Sequence, residues 1–536
     1  MHFIFRFIRL FQKQKESQEK EIEISDIQTD LNLFSANLQH NIRKLKTIFC
    51  DSTDFIVREF SFGQHNAVKA ALFFVDGMVN QPMINDNVIT PLMHDSRISH
   101  TKSLPSDFSI EEIRDHLLSV GEIKTIYTYD DAVQSCLSGN AVLLIDGTQK
   151  ALDIGAKGFE KRSITEPSSE SSLRGPREGF TENLRTNTAM IRRKIKDPNL
   201  KIKDTVVGKR TKTQVNIIYI DGLVDPQLVS EVEKRIQKID IDSVLASSYL
   251  ESYIEDSTLT IFPTIWFSEK PDAVAGKILE GRVAIAVDGA PFIMSVPMLF
   301  IENFQSAEDY IKRTPYAIAM RLLRLVAFLI SLFTPALYVA LSTYHQELIP
   351  TTLLFTMAAS GEGVPFPVVI ETALMMIIFE ILQEAGIRMP RPVGQTISIV
   401  GALVMGEAAV RAGLVGAPVV IVIAFTAVSS FALPFSADAV SLLRWFLLFL
   451  SATMGIFGMT IGTFIILIHL VSLRSFGAFY LAPLAPFHKS GMKDTFIRAP
   501  LWAMHNRPVA LNPQDVERRK RKPTLMTHRE NKEDLP

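Results

Sequence analysis

The feature that most constrains this chain is a block of apolar runs between residues 322 and 471. It opens with Leu322-Leu-Arg-Leu-Val-Ala-Phe-Leu-Ile-Ser-Leu-Phe-Thr-Pro-Ala-Leu-Tyr-Val-Ala-Leu-Ser342, and runs of similar length recur to Val471. About 20 apolar residues at 1.5 Å each cross a hydrocarbon layer of ~30 Å. One such run can be a buried core helix; several within one block exclude that. The chain therefore reads as a multi-pass membrane protein with a large water-soluble part ahead of the membrane part. Strong spans are expected at about 322–342, 365–385, 394–413, 416–434 and 441–471.

Charge places the ends. Lys312, Arg313, Arg321 and Arg324 precede or open the first span, and residues 472–536 hold twelve Lys/Arg against six Asp/Glu, a net of 12 − 6 = +6. Met1 to Phe11 is apolar but broken by Arg6 and Arg9, which is not an export signal. A short amphipathic surface helix and a frayed end are both open for it. Both observations put the soluble part and the tail in the cytoplasm. Five crossings would separate them, so either Leu348 to Val364 crosses as a sixth span or one weak span is re-entrant. The loop Arg388-Met-Pro-Arg391 fits the six-span option poorly.

The soluble part repeats itself. From Asp30, Leu31, Phe34, Leu38, Ile42 and Leu45 recur at helical steps. Ala71-Leu-Phe-Phe-Val-Asp-Gly77 reads as a buried strand ending in a turn, Ser109 to Leu118 as a helix, and Ala141 to Ile154 as a hairpin around Asp146-Gly147. Ile217-Ile-Tyr-Ile-Asp-Gly222 and Glu280 to Gly289 return to the same pattern. The Asp offsets, 221 − 76 = 145 and 288 − 146 = 142, point to duplication. Asp225-Pro226 and Pro271 each start a helix. The Asp-Gly pairs resemble a carboxylate quartet, but tight turns after strands account for them. No phosphate loop, nucleophile elbow or metal motif occurs. Two separated cysteines, Cys50 and Cys136, offer neither a disulfide framework nor a metal site. A net charge of −1 gives nucleic acid no purchase.

The expected fold class is thus an α/β soluble N-terminal region of two similar subdomains plus an all-α polytopic membrane domain. The expected order is a lead-in (1–54), subdomain 1 (55–162), a basic linker (163–212), subdomain 2 (213–311), the transmembrane domain (312–473) and a basic tail (474–536). Within the linker, 166–172 is low-complexity sequence and a basic helix follows from Ala189 to Lys196. Arg174, Arg177, Arg185, Arg192 and Arg193 could bind phosphate or simply sit in a solvated, charge-paired linker.

The stretch Arg174-Gly-Pro-Arg-Glu-Gly-Phe-Thr-Glu-Asn-Leu-Arg-Thr-Asn187 resembles the signature of the A subunits of GerA-type spore germination receptors. Phe74-Val-Asp-Gly-Met-Val79, Ile220-Asp-Gly-Leu-Val224 and Pro390 to Val404 are similar to that family as well, and the resemblance covers about 35–510. It marks Arg174, Arg177, Glu178, Glu182, Asn183 and Arg185 as signature residues. It implies a subunit of a nutrient-sensing receptor in the spore inner membrane, not an enzyme, with no cofactor and no metal. The implied partners are membrane lipid, further copies of the chain, a transporter-like B subunit and a lipoprotein C subunit. The family's A subunit is expected to oligomerise and conduct ions, while nutrient binds the B subunit.

Charges inside a bilayer cost ~2.5–3.5 kcal/mol each on insertion scales, so they mark candidate function. Glu371, Glu380, Glu384, Glu407 and Arg411 qualify. On 394–413, Val400, Val404, Glu407 and Arg411 fall on one helical stripe, with Ala402, Gly406, Ala409 and Gly413 roughly opposite. Patterning leaves a pore-lining face and a lone buried salt bridge equally open; the oligomeric channel implied by the resemblance favours the first. Glu380 and Glu384 share a face near a span's end, where both could meet water. Gly455, Gly458 and Gly462 suit close helix packing. The rival classes are a non-conducting scaffold or signal transducer, a secondary transporter, for which no inverted repeat is visible in 322–471, and a membrane-bound enzyme, weakened by the lack of any nucleophile–base or metal constellation.

Overall fold

A computed structural model of the chain describes residues 32–63, 68–94, 110–116, 118–158, 175–388, 406–432, 437–489, 491–508 and 511–518. It divides into two compact units: an α/β unit from 176–250 and 267–295 with the chain before Ser171, and a helical unit from 251–266 and 296 onward.

Two five-stranded antiparallel sheets form the α/β unit. The first is built from β1 (Phe55–Phe62), β2 (Val68–Val75), β3 (Ile123–Ile126), β4 (Ala141–Ile145) and β5 (Ala151–Ile154). The second holds β6 (Leu200–Val207), β7 (Thr213–Ile220), β8 (Trp266–Ser268), β9 (Val283–Val287) and β10 (Ile293–Val296). Their orders are β1-β2-β4-β5-β3 and β6-β7-β9-β10-β8, one topology written twice. Helices repeat too: α1 (Leu38–Ile48) and α2 (Tyr129–Leu137) in the first half answer to α3 (Leu184–Lys194) and, after α4 (Pro226–Gln237) and α5 (Ser247–Ile254), to α6 (Pro271–Leu279). Every pair of starts differs by 142 to 146 residues: 184 − 38 = 146, 200 − 55 = 145, 283 − 141 = 142. The duplication read from two Asp-Gly turns thus extends upstream. The stretch expected as a basic linker carries α3 and β6, the first helix and first strand of the second repeat.

The central strands read as unbroken apolar runs because both faces are covered. Ala70, Leu72 and Phe74 of β2 enter one core with Leu143 and Ile145. Ala71, Phe73 and Val75 enter the other with α1, through Leu38, Ile42 and Leu45, and with α2. All four Asp-Gly glycines sit at positive φ: 77° at Gly77, 87° at Gly147, 74° at Gly222 and 80° at Gly289. That backbone is costly for any residue with a Cβ. Asp225 caps α4 by accepting from the Gln227 amide at 2.9 Å. α1 begins at Leu38, later than its sequence pattern suggests, because Asn37 caps it.

The helical unit contains α7 (Thr314–Thr343), α8 (Val368–Arg388), α9 (Ala417–Ser430) and α10 (Ala437–Ser472). α7 and α10 are long and apolar enough to cross a membrane, and only 28% of the apolar window of α10 is buried. A core helix of a soluble protein would hide most of that surface.

One expectation is corrected here. The run 441–471, taken as a single crossing, is a hairpin. Gly455 leaves helical geometry at φ 61°, ψ −141°, and the two arms then close on each other. A Cβ on Gly458 would meet the Leu450 carbonyl at 2.1 Å, and one on Gly462 would meet Leu447 at 2.7 Å. In a straight helix, residues eight apart are ~12 Å apart along the axis. Tyr344 at the end of α7 donates its hydroxyl to the Ala452 carbonyl at 2.8 Å, one of those freed by the break. Arms 437–454 and 456–472 are about 25–27 Å long at helical rise, each close to a bilayer core. By contrast 348–364, the candidate sixth span, holds an eleven-residue helix at Thr351–Gly361, about 16 Å.

Folding back returns the chain to its entry point. Phe300 N–H donates to the Tyr480 carbonyl at 2.8 Å, and Arg321 binds Asp494 at 2.8 Å. The chain entering α7 and the chain leaving α10 therefore occupy one end of the helical unit.

Candidate functional site

The signature stretch builds a helix start. Asn183 accepts from the Thr186 amide at 3.0 Å and caps α3. Asn187 brackets the turn before it, accepting from Thr181 N–H at 2.8 Å and donating to the Thr181 carbonyl at 2.6 Å. The first repeat does the same at α1: Asn37 accepts from His40 N–H at 3.1 Å, and Asn41 accepts from Ser35 N–H at 2.9 Å and donates back at 2.7 Å. Phe34-Ser-Ala-Asn-Leu-Gln-His-Asn41 and Phe180-Thr-Glu-Asn-Leu-Arg-Thr-Asn187 are therefore one motif in two copies. The exposed Glu182 contributes its carbonyl to Gly289 N–H at 2.9 Å, as Ala36 does to Gly147 at 2.8 Å.

The outer face of α3 meets the first repeat and leaves a cleft of about 430 Å³. Asp76, Gln81, Asn183, Arg185, Thr186 and Arg193 are among its polar lining residues. The approach needs glycine at the turn, since a Cβ on Gly77 would meet the Arg185 carbonyl at 3.1 Å and Ala189 at 3.2 Å. Arg185 reaches Asp76 at 3.6 Å and Asp204 at 3.4 Å, and its Nη1 is buried without a hydrogen-bond partner. Arg193 binds Glu178 at 2.9 Å. Burial raises the Glu178 carboxyl, but Arg193 and Lys194 outweigh it and hold the group below its usual range. Arg177 is exposed, and Arg174 lies outside the described residues. Arg192, weighed as a phosphate ligand or solvated charge, is neither: its guanidinium is 1% exposed and paired with Asp54. Among the described residues no metal-binding cluster occurs, and the cleft brings together no nucleophile with a base.

In the helical unit the predicted charges take separate roles. Glu371 is 4% exposed and accepts from Gly416 N–H at 2.8 Å, so its carboxylate sits on the N-terminus of α9, where the helix dipole favours an anion. Glu380 Oε1 accepts from Trp445 Nε1 at 2.9 Å and from the Ser441 hydroxyl at 2.5 Å, fastening α8 to α10. Glu384 is exposed. Glu407 and Arg411 bond each other at 2.5 Å, with side chains 57% and 78% exposed. Val400 and Val404 lie outside the described residues.

Two clusters were missed from sequence. Arg444 of α10 is 3% exposed and donates to the Ser331 carbonyl at 3.0 Å and hydroxyl at 2.9 Å on α7. It was visible as a charge inside an apolar run. Asp309, 1% exposed, takes hydrogen bonds from Arg321 at 3.1 Å and Arg324 at 2.8 and 3.0 Å. Burial raises its carboxyl, yet the two guanidinium groups carry it below the usual range. Arg498 donates to the Lys312 carbonyl at 3.0 Å. These side chains clip 494–498 to the foot of α7.

A duplicated α/β unit ahead of a helical unit with two helices long and apolar enough to cross a membrane defines a two-part, membrane-associated class of chain, and the family follows from comparison. Residues 43–510 match the model of the Bacillus/Clostridium GerA spore germination protein family, and the chain belongs to that family. It is 46% identical over 488 residues to spore germination protein KA of Bacillus subtilis, covering 91% of this chain and 89% of that protein. It is 38% identical to spore germination protein B1 of the same organism, covering 90% and 98%. It is 35% identical to spore germination protein GerLA of Bacillus cereus, covering 89% and 96%. The crystal structure of the N-terminal domain of the A subunit of the Bacillus megaterium spore germinant receptor GerK3 is 34% identical, with a TM-score of 0.40, covering 50% of this chain and 97% of that one.

Proposed function

We propose that this chain is a subunit of a nutrient-gated germination receptor in the spore inner membrane, and that copies of it assemble around an ion path. The observation that carries this is the Glu407–Arg411 pair, exposed on a single protomer beside apolar helices. Lipid covers such a pair at a cost of several kcal/mol. Further copies enclosing water cover it at little cost. Val400, Val404, Glu407 and Arg411 would line that path, the valines closing it by dewetting and the carboxylates favouring cations. A transporter-like B subunit would hold the nutrient, and a lipoprotein C subunit would complete the receptor. The chain itself performs no covalent chemistry.

The soluble unit and the tail lie on the cytoplasmic side in this reading. The +6 tail and the return of the chain to the foot of α7 support it. Cysteines introduced as Ser168→Cys and Thr524→Cys should stay unlabelled by an impermeant thiol reagent in intact protoplasts.

The deciding experiment is ion current from vesicles holding the chain with its partner subunits. Val404→Ala should leak ions without nutrient, and Glu407→Gln should weaken cation preference with normal abundance. Normal current and selectivity in both variants would leave a non-conducting scaffold as the function.

A further inference from the structure

Two segments of the helical unit lie where the apolar runs of α7 and α10 end. The first is the loop 257–263. Thr260 Oγ1 is 3.1 Å from His469 Nε2, and the Phe262 ring stacks on His469 with centroids 6.0 Å apart. His469 is in the last turn of α10. The alternate side chains point the other way: Leu259 is 94% exposed and Ile261 37%. The loop is turned back on itself, Thr260 N–H donating to the Ser257 carbonyl at 3.4 Å and Phe262 N–H to the Thr260 hydroxyl at 3.2 Å, so that two side chains face in and two face out.

The second segment follows α10. Asp494 is held by Arg321 at 2.8 Å, and Phe496 packs on Phe304 with centroids 5.9 Å apart. Arg321 and Arg324 are the last charged residues of α7, so whatever docks on Arg321 sits at the foot of its apolar run. From this docked stretch Phe487, Ile497, Leu501 and Trp502 are exposed by 69, 61, 55 and 57%. Residues 473–508 carry five basic side chains and one acidic one, Asp494, which is already paired. Arg498 is buried on backbone carbonyls and Arg507 pairs with Asp515, which leaves Arg474, Lys489 and Lys493 exposed. Large apolar and aromatic groups exposed together with these three cations match the headgroup zone of an anionic bilayer.

We propose that the loop 257–262 and the segment 487–502 are embedded in the headgroup zone of the membrane that α7 and α10 cross. Leu259, Ile261, Phe487, Ile497, Leu501 and Trp502 enter the acyl boundary, and Arg474, Lys489 and Lys493 meet lipid phosphates. The chain beyond the last helix is then a membrane-bound band as far as Trp502. This inference rests on reading the apolar helices as membrane spans.

The test uses the full chain with Cys50→Ser and Cys136→Ala, reconstituted in vesicles of phosphatidylcholine and phosphatidylglycerol. Single substitutions Leu259→Cys, Trp502→Cys, Phe464→Cys and Lys209→Cys carry an environment-sensitive fluorophore. Nitroxide at headgroup depth should quench the labels at 259 and 502 roughly twofold, while aqueous iodide quenches them about threefold less than at the exposed position 209. Iodide quenching equal to that at 209 overturns the proposal. Shielding from both quenchers overturns it too, because a protein then covers these segments. The label at 464, on an exposed face of α10, reports the underlying reading. If deep nitroxide fails to quench it, the membrane spans are wrong; if it is quenched while 259 and 502 behave as in water, only the band is wrong.

Discussion

Arg192 of the second repeat forms a forked ion pair with Asp54 of the first, Nε to Oδ2 at 2.8 Å and Nη2 to Oδ1 at 2.9 Å, with both side chains at most 2% exposed. Ser52 completes the site: its hydroxyl donates to Asp54 at 2.6 Å and accepts from Ile202 N–H at 2.9 Å. The pair thus joins the loop before β1 to the helix and edge strand of the other half. Removing one partner strands a buried charge, which costs about 3–5 kcal/mol. Arg192→Met should therefore lower the melting temperature of the purified chain sharply. Arg192→Met with Asp54→Leu should recover much of the loss, and equal melting of the two variants would refute the coupling.

Gly455 and Gly458 should tolerate no side chain. A Cβ on Gly455 would meet His345 at 2.9 Å in a backbone conformation open to glycine, and one on Gly458 would collide with a carbonyl at 2.1 Å. Gly455→Ala and Gly458→Ala should each reduce the amount of folded protein recovered from membranes. Thr460→Ala, on the exposed side of the same arm, should not. Recovery equal across all three would argue against the hairpin.

Glu371→Ala should loosen the start of α9 by removing the acceptor of Gly416 N–H. A lost cap costs ~1–2 kcal/mol. Glu371→Gln keeps an acceptor without the charge and should fall between. Thermal melting in detergent orders the three proteins, and any other order counts against the cap.

Glu251, in α5, gives the protein a pH response. Burial, aided by the neighbouring Glu255 carboxylate, pushes its pKa up to about 7 from 4.5. The folded state therefore holds this proton more tightly than the unfolded chain. Its stabilising contribution is complete below pH ~4.5 and is lost as pH rises through ~7. Glu251→Gln should flatten the fall in melting temperature between pH 5 and 8. An unchanged slope would show that another group titrates.

Much of the α/β unit was legible because its turns have no substitutes. Asp-Gly after an apolar run requires positive φ, and all four glycines adopt it. Asp225-Pro226 and Pro271 start helices for equally local reasons. β1 and β6 were not legible. As edge strands they mix exposed residues such as Arg58, Glu59 and Asp204 and the half-buried Lys201 with buried ones, so no apolar run announces them. α3 was legible in its basic half, 189–196, but its start at Leu184 and its place in the second repeat were hidden: its basic residues resemble a solvated stretch until Asp54 is seen to neutralise Arg192. The repeated Phe-x-x-Asn-Leu-x-x-Asn, 146 residues apart, was the available signal. Nor can hydropathy find the reversal at Gly455, since a turn made by one glycine needs no polar residue to interrupt the run. Of the charges inside apolar runs, Glu371, Glu380, Glu384, Glu407 and Arg411 were found and Arg444 was passed over, and which carbonyl, amide or hydroxyl each one serves depends on packing.

The signature stretch has a further consequence. Asn183 and Asn187 do for α3 what Asn37 and Asn41 do for α1: in both copies their side chains bond the backbone of the turn and of the first helical residues. The two asparagines of the signature are therefore joinery: they fix where the first helix of each half begins, and with it how the second half is laid down on the pattern of the first.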